Sequence, residues 1–175
     1  GDQFFLPDSW KFYYKDLIGQ KHLRYVPNAG HSLDGSDAVY SLAAYYNSIL
    51  NKTKLPEYEW DLQEDGSIRV TTKAHPKEVL LWQCTNTQTR DFRIETTGKT
   101  WTSSKLRPVS RGTYVAKVPK PERGWTAFMV ELTYAEPIKR GLSTKRGGRL
   151  GQATGRVGAP FKFTTGVKVL PETMP

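Results

Sequence analysis

A single cysteine, Cys84, stands in the 175 residues, so no internal disulfide can close and no thiolate cluster can form. No apolar run approaches the roughly 18 residues that a membrane-spanning helix needs. The opening residues lack the basic flank and apolar stretch of a signal peptide. No internal repeat is present, and coiled-coil, collagen-like and disulfide-framework architectures are excluded by composition. Neither a Gly-x-Gly-x-x-Gly turn after a strand nor a Walker A motif occurs, which removes the usual grounds for nucleotide binding. His22 and His75 have no second ligand at metal-binding spacing, so neither a metal nor another cofactor is expected. Cys84 reads as a small, buried, unreactive strand residue.

What is present suffices for a packed core: 37% of residues are hydrophobic and 12% aromatic. The charge is uneven. Residues 1–55 hold six basic and five acidic side chains, and residues 56–136 hold twelve and eleven. Residues 137–175 hold eight and one, so seven of the nine excess positive charges belong to the last 39 residues. The stretch 139–160 (KRGLSTKRGGRLGQATGRVGAP) is rich in glycine and arginine and reads as a long loop.

Two regimes of periodicity divide the chain near 51–56. In the first, Asp8 or Ser9 starts a helix on which Trp10, Tyr13, Tyr14 and Leu17 form one apolar stripe, ended by Gly19. Residues 21–26 (KHLRYV) read as a short strand. A second helix is predicted from about Ser36 to Asn51, with Val39, Leu42, Ala43, Tyr46, Ile49 and Leu50 at helical spacing. From Pro56 the period falls to two. Strands are predicted at 57–62, 66–73, 78–85, 91–95, 112–118, 125–134 and 161–170, with a hairpin signal at Asp65-Gly66. Seven short strands in about 115 residues predict an antiparallel sandwich, and Trp82 and Trp125 are core rings able to bridge its sheets.

One constellation carries chemistry. Asp2 and His31 are separated by the predicted helix and strand, an arrangement that in an open parallel sheet places both at strand carboxyl ends. A carboxylate there can orient an imidazole, and acid followed by histidine is the chain order of an α/β-hydrolase whose nucleophile comes earlier. No local residue replaces that nucleophile convincingly. Ser32 lacks the spacing of a nucleophile elbow and adjoins His31, and its plainer role is structural: Ser32, Asp34 or Ser36 caps the following helix. Asp34 or Asp37 as an alternative acid suffers from the same closeness to His31, and helix capping explains both.

The stretch Asp2–Ser9 reads Asp-x-Phe-Phe-x-Pro-Asp-Ser, and Leu23–His31 reads Leu-Arg-Tyr-Val-Pro-Asn-x-x-His. Both resemble segments of the PhoPQ-activated pathogenicity-related protein family. Gly124–Tyr134 (GWTAFMVELTY) and Phe161–Pro175 (FKFTTGVKVLPETMP) are similar to that family's C-terminal Ig-like region. The run of six Lys/Arg without an acid at 139–156 departs from it. The resemblance implies an α/β-hydrolase fold followed by a β-sandwich in an exported protein, with Asp2 as triad acid and His31 as triad base.

These readings together predict an α/β plus all-β chain. Residues 1–55 are the helix–strand–helix end of an α/β-hydrolase sheet, and 56–175 are an Ig-like β-sandwich with the basic loop at 139–160. The expected function is the C-terminal part of a secreted or periplasmic serine hydrolase that acts on an ester or amide and is inactive without its upstream serine. The alternative is a sandwich that binds a partner without catalysis. A third reading has Arg140, Lys145, Arg146, Arg149 and Arg156 attract an anionic polymer, nucleic acid or a cell-surface one, although no aromatic residue interrupts the loop to stack on bases.

Overall fold

Alternation of apolar and polar side chains from residue 58 onward generates a β structure, and it dominates the computed structural model, which describes residues 1–135 and 161–172. The strands are β1 (Tyr58–Leu62), β2 (Ile68–Thr72), β3 (Glu78–Asn86), β4 (Thr102–Lys105), β5 (Thr113–Ala116), β6 (Trp125–Tyr134), β7 (Phe161–Thr164) and β8 (Lys168–Leu170). One sheet has the order β1-β2-β5. The other has β4-β3-β6-β7, with β8 on the same strand β6. Every strand pairing among the described residues is antiparallel.

The expected hairpin forms at 63–67. Gly66 takes φ 85°, and Asp65 Oδ1 accepts from the Ser67 amide and hydroxyl. Ile68 and Val70 of one sheet share a core with Val79, Leu81, Phe128, Val130, Leu132, Phe161 and Phe163 of the other. Strand β6 is buried on both faces from Thr126 to Tyr134. Its second face packs Ala127 and Met129 with Cys84, Phe92, Trp101, Val167 and Val169. Trp82 and Trp125 lie against this outer cluster, not between the sheets as their mid-sheet positions suggested.

The α/β expectation is overturned. Among the described residues only α1 (Ala38–Leu50) is a helix of more than a turn; α2 (Ile94–Thr97) is a single turn where a strand was expected at 91–95. The predicted first helix is two short 3-10 turns, Ser9–Phe12 and Tyr14–Asp16, broken at Tyr13 with φ −137°. Residues 21–26 make one antiparallel bridge, Leu23 with Thr164, and no parallel strand. The protein is all-β, and among the described residues no parallel sheet supplies a hydrolase-type edge.

Tertiary contacts explain the change. Trp10, instead of lying on a helix stripe, donates from Nε1 to the Val167 carbonyl at 2.9 Å and meets Trp60 edge-on at 4.7 Å between ring centroids. It fits because Gly166 has no side chain; a Cβ there would stand 2.5 Å from its Cδ2 and Nε1. This notch also splits the predicted strand 161–170 into β7 and β8, the gap being bridged by Thr165, which accepts from the Val130 amide at 3.0 Å. Gly166→Ala is expected to destabilise the fold by about 1–3 kcal/mol through overpacking. In a thermal melt the loss should shrink on a Trp10→Ala background, since residues in contact do not add. Equal losses in both backgrounds would remove the notch from the account.

Helix α1 inverts its expected orientation. Its buried residues are Ser41, Ala44 and Ser48, while Val39, Leu42, Tyr46, Ile49 and Leu50 are exposed. Phe4, Phe5, Leu6, Phe12, Leu17 and Ile18 are exposed as well. Small side chains let α1 lie close to β7, and the large apolar ones are left outward.

Candidate active site

Two loops carry the site, and both are tied to the outer face of the larger sheet. The Gly1 carbonyl accepts from the Ile94 amide at 3.0 Å, and the absence of a side chain at Gly1 lets it abut the Ala29 carbonyl, which a Cβ would approach to 2.7 Å. In the second loop Asn28 adopts φ 58°, a conformation asparagine tolerates better than most residues. Its side chain donates to the Trp101 carbonyl at 2.9 Å and accepts from the Trp101 amide at 3.0 Å. A chain segment otherwise without regular structure is thereby fixed to the sheet's cover.

The loops bring Asp2 and His31 together. Asp2 Oδ2 lies 3.1 Å from His31 Nδ1. The other oxygen, Oδ1, accepts from the amides of Phe4 at 2.7 Å and Phe5 at 3.2 Å, so the carboxylate is held from behind. Gln3 Oε1 accepts from the His31 amide at 3.1 Å. Partial burial alone would raise the Asp2 carboxyl, but the Phe4 amide, the His31 ring and the Phe5 amide outweigh it and hold it below its ordinary value. An ionised carboxylate can only accept, so its contact places an imidazole proton on Nδ1, and in the neutral ring the lone pair is then on Nε2, where it can act as a base. Phe4 meets the imidazole edge-on at 4.8 Å between centroids, and Phe5 lies at 6.0 Å. The His31 side chain is 53% exposed, and among the described residues no group hydrogen-bonds to Nε2.

The other residues singled out by sequence serve the fold. Ser32 Oγ accepts from the Asp34 amide at 3.4 Å, and Ser36 Oγ accepts from the Ala38 amide at 3.3 Å. Asp37 precedes α1 but gives no capping bond; its carboxylate pairs with Arg24 and Lys162, each at 2.6 Å. His22 stacks on Phe163 at 4.4 Å, and burial pushes its imidazole below the ordinary histidine value. His75 lies in the turn between β2 and β3. Cys84 is buried, with Sγ 3.3 Å from Thr100 Oγ1. Among the described residues no three His, Cys, Asp or Glu side chains are grouped to hold a metal, and no helix is long and apolar enough to cross a membrane. Arg140, Lys145, Arg146, Arg149 and Arg156 lie outside the described residues.

Sequence reasoning missed Gln3, Phe4, Phe5, Asn28 and Trp101 as supports of the pair. Pro27-Asn28 was a usable signal for a left-handed residue; Trp101, 73 positions away, had none.

Fold and site together define an antiparallel β protein that displays a carboxylate–imidazole pair on a loop-covered sheet face. The chain belongs to the PhoPQ-activated pathogenicity-related protein family, whose family model matches residues 1–93, the pair included. It is also similar to autocrine proliferation repressor protein A of Dictyostelium discoideum, with 32% identity over 196 aligned residues. That alignment covers 99% of this chain and 37% of the relative, so the chain spans well under half the relative's length. No solved structure matches.

Proposed function

We propose that residues 1–55 carry the acid and base of a serine-hydrolase site and that the nucleophilic hydroxyl comes from polypeptide outside residues 1–175. The observation carrying this reading is the 3.1 Å contact of Asp2 Oδ2 with His31 Nδ1, made by a carboxylate already fixed by two amides. In this scheme His31 Nε2 takes the serine proton as Oγ attacks an ester or amide carbonyl. It returns that proton to the departing alcohol or amine, and water then repeats the sequence to release the acid. Residues 1–175 alone turn over no substrate. The test is labelling by a fluorophosphonate probe of the polypeptide that carries the nucleophile, with and without His31→Ala.

Residues 56–175 form the second part of this proposal, a sandwich of the Ig-like kind. The strand orders β1-β2-β5 and β4-β3-β6-β7, with the β2–β3, β4–β5 and β5–β6 connections each crossing between sheets, support it. Export from the cell is supported by family membership and by the relative's description as autocrine, which denotes action on the cells that release it. That same name, which describes a repressor of proliferation, favours a second reading in which the sandwich binds a partner and no bond is cleaved. Undiminished labelling in the His31→Ala variant would leave only that reading.

The excess of basic over acidic residues beyond position 136 supports attraction of an anionic polymer at Arg140, Lys145, Arg146, Arg149 and Arg156. Retention of the chain on heparin is expected to fall steeply between about 50 and 200 mM salt, as release of counterions requires. Retention that is unchanged when these five residues become glutamine would remove the attraction.

A further inference from the structure

A cavity of about 230 Å³ opens beside the Asp2–His31 pair, and nothing in the scheme above uses it. Its floor is Met129 and Val167, both in the buried cluster on the outer face of the large sheet. Tyr25 and Trp101 form walls, and Phe5 and Leu33 line it from the exposed side. Asp2 and Gly30 line the part next to His31.

The walls are fixed, not fluid. The Tyr25 amide donates to Thr164 Oγ1 at 2.9 Å, the Tyr25 carbonyl accepts from Arg24 Nη1 at 2.8 Å, and Trp101 is held at its backbone by Asn28. Two charged side chains contribute to the lining, and both are already neutralised. Asp2 is engaged by His31 and two amides; Arg24 is engaged by Glu131 and Asp37, each at 2.6 Å. A charged ligand would find no free side-chain counter-charge there, and burial holds the Gly1 amino group that shares the lining below its ordinary pKa, toward its neutral form; a neutral apolar ligand displaces only water.

Size narrows the ligand further. An apolar cavity of about 150 Å³ holds benzene, so this one takes roughly nine or ten non-hydrogen atoms. It lies below the range of about 300–1,000 Å³ typical of sites for drug-sized molecules. We propose that the cavity binds a compact, uncharged aromatic or branched aliphatic group of the substrate, carried on an ester or amide whose carbonyl then lies toward His31. The substrate class rests on the hydrolase reading above; occupancy of the cavity does not.

The chain has two methionines, Met129 and Met174, the latter outside the described residues, so a methyl-labelled methionine NMR spectrum reads the cavity floor directly. Titration of the chain with methyl benzoate is expected to shift the Met129 methyl through the ring current and to saturate. Benzoate and benzylammonium, of similar shape but charged, are expected to bind at least tenfold more weakly. Leu33→Asp places a carboxylate on the exposed lining at a residue with φ 58°, where aspartate is tolerated, and should weaken methyl benzoate at least tenfold. Ala29→Leu, which adds three carbons to a buried wall, should do the same by filling.

A Met129 methyl unmoved by methyl benzoate, or moved equally by the charged analogues, overturns the inference. So does a Leu33→Asp variant that retains the native spectrum and the native affinity. The titration reads no catalysis. Binding without His31-dependent labelling would sink the hydrolase reading alone, and labelling without binding would sink the cavity alone.

Discussion

Glu131→Ala is expected to lose about 3–5 kcal/mol of folding stability, the usual cost of removing one partner from a buried charge cluster. Glu131 sits in the middle of β6, and its side chain is 2% exposed. Its Oε2 accepts from Arg24 Nη1 at 2.6 Å, and its Oε1 lies 3.5 Å from Lys162 Nζ. Asp37 joins the same two cations from the start of α1. Two positive and two negative groups thus fasten the N-terminal loop, the helix, β6 and β7 in one knot. Truncation of Glu131 leaves the half-buried Arg24 and Lys162 facing the single, more exposed carboxylate of Asp37, and no partner replaces the buried one.

A contrasting pair gives the scale. Lys73 and Glu57 stand 2.8 Å apart, as close as many buried pairs, yet their side chains are 86% and 58% exposed. Lys73→Ala should therefore leave stability nearly unchanged, because solvent screens the pair. Urea midpoints of the two variants decide the matter: similar losses would show that burial does not set the value of the Glu131 cluster. The cluster also has a sign in pH. Burial alone would raise the Asp37 carboxyl, but Lys162 and Arg24 outweigh it and hold it below its ordinary value. Its contribution is therefore present above the unfolded carboxylate value and lost as pH falls through the lowered folded one. Acid, not base, should loosen the knot.

The sandwich was legible because its residues obey one local rule consistently. Alternation with turn residues between runs located β1, β2, β3, β5 and β6 to within about two residues. Strand β4 was missed because Thr102, Ser103, Ser104 and Lys105 are all exposed and carry no apolar alternation. The error at residues 8–19 has the opposite cause. Trp10, Tyr13, Tyr14 and Leu17 do have helical spacing, but aromatic residues are mediocre helix formers, and Trp10 and Tyr14 both find Trp60 on β1. Contacts made across some fifty residues outweighed a preference written within eight. The single bridge at Leu23 follows from the same docking, since β7 offers its edge where a parallel neighbour had been expected.

For the candidate site, the residue types were readable and the support was not. Asp2 and His31 could be paired from spacing and resemblance, but the reasoning placed them on the rim of a parallel sheet. They meet instead on loops anchored by Asn28, Trp101 and the Gly1–Ile94 bond. Such anchors pair a loop residue with a distant connection, and neither member has a local pattern that announces the other. Ser41, Ala44 and Ser48 teach a related lesson. A helix can bury its small polar face, and apolar spacing alone does not say which side meets the core.

In the polypeptide proposed to carry the nucleophile, Asp2→Asn is expected to slow fluorophosphonate labelling about 10⁴-fold, and His31→Ala by at least as much. The asparagine variant is the more informative because its shape is nearly unchanged. Its carbonyl oxygen can still accept from the Phe4 and Phe5 amides, which turns the amide nitrogen toward His31 Nδ1. That nitrogen only donates, so the imidazole must present a lone pair at Nδ1 and carry its proton on Nε2, where it can no longer take one from serine. Fold and position survive while the tautomer reverses. The lowered Asp2 carboxyl adds a second reading of the same experiment. Since Asp2 stays ionised throughout the range above ordinary carboxylate values, no limb of the labelling profile near neutrality can belong to it. An Asp2→Asn variant that labels within twofold of the native rate, with an unchanged melting curve, would show that the carboxylate only braces the loop. The pair would then be a structural clasp, and the chemistry would have to be sought elsewhere in the family's longer chains.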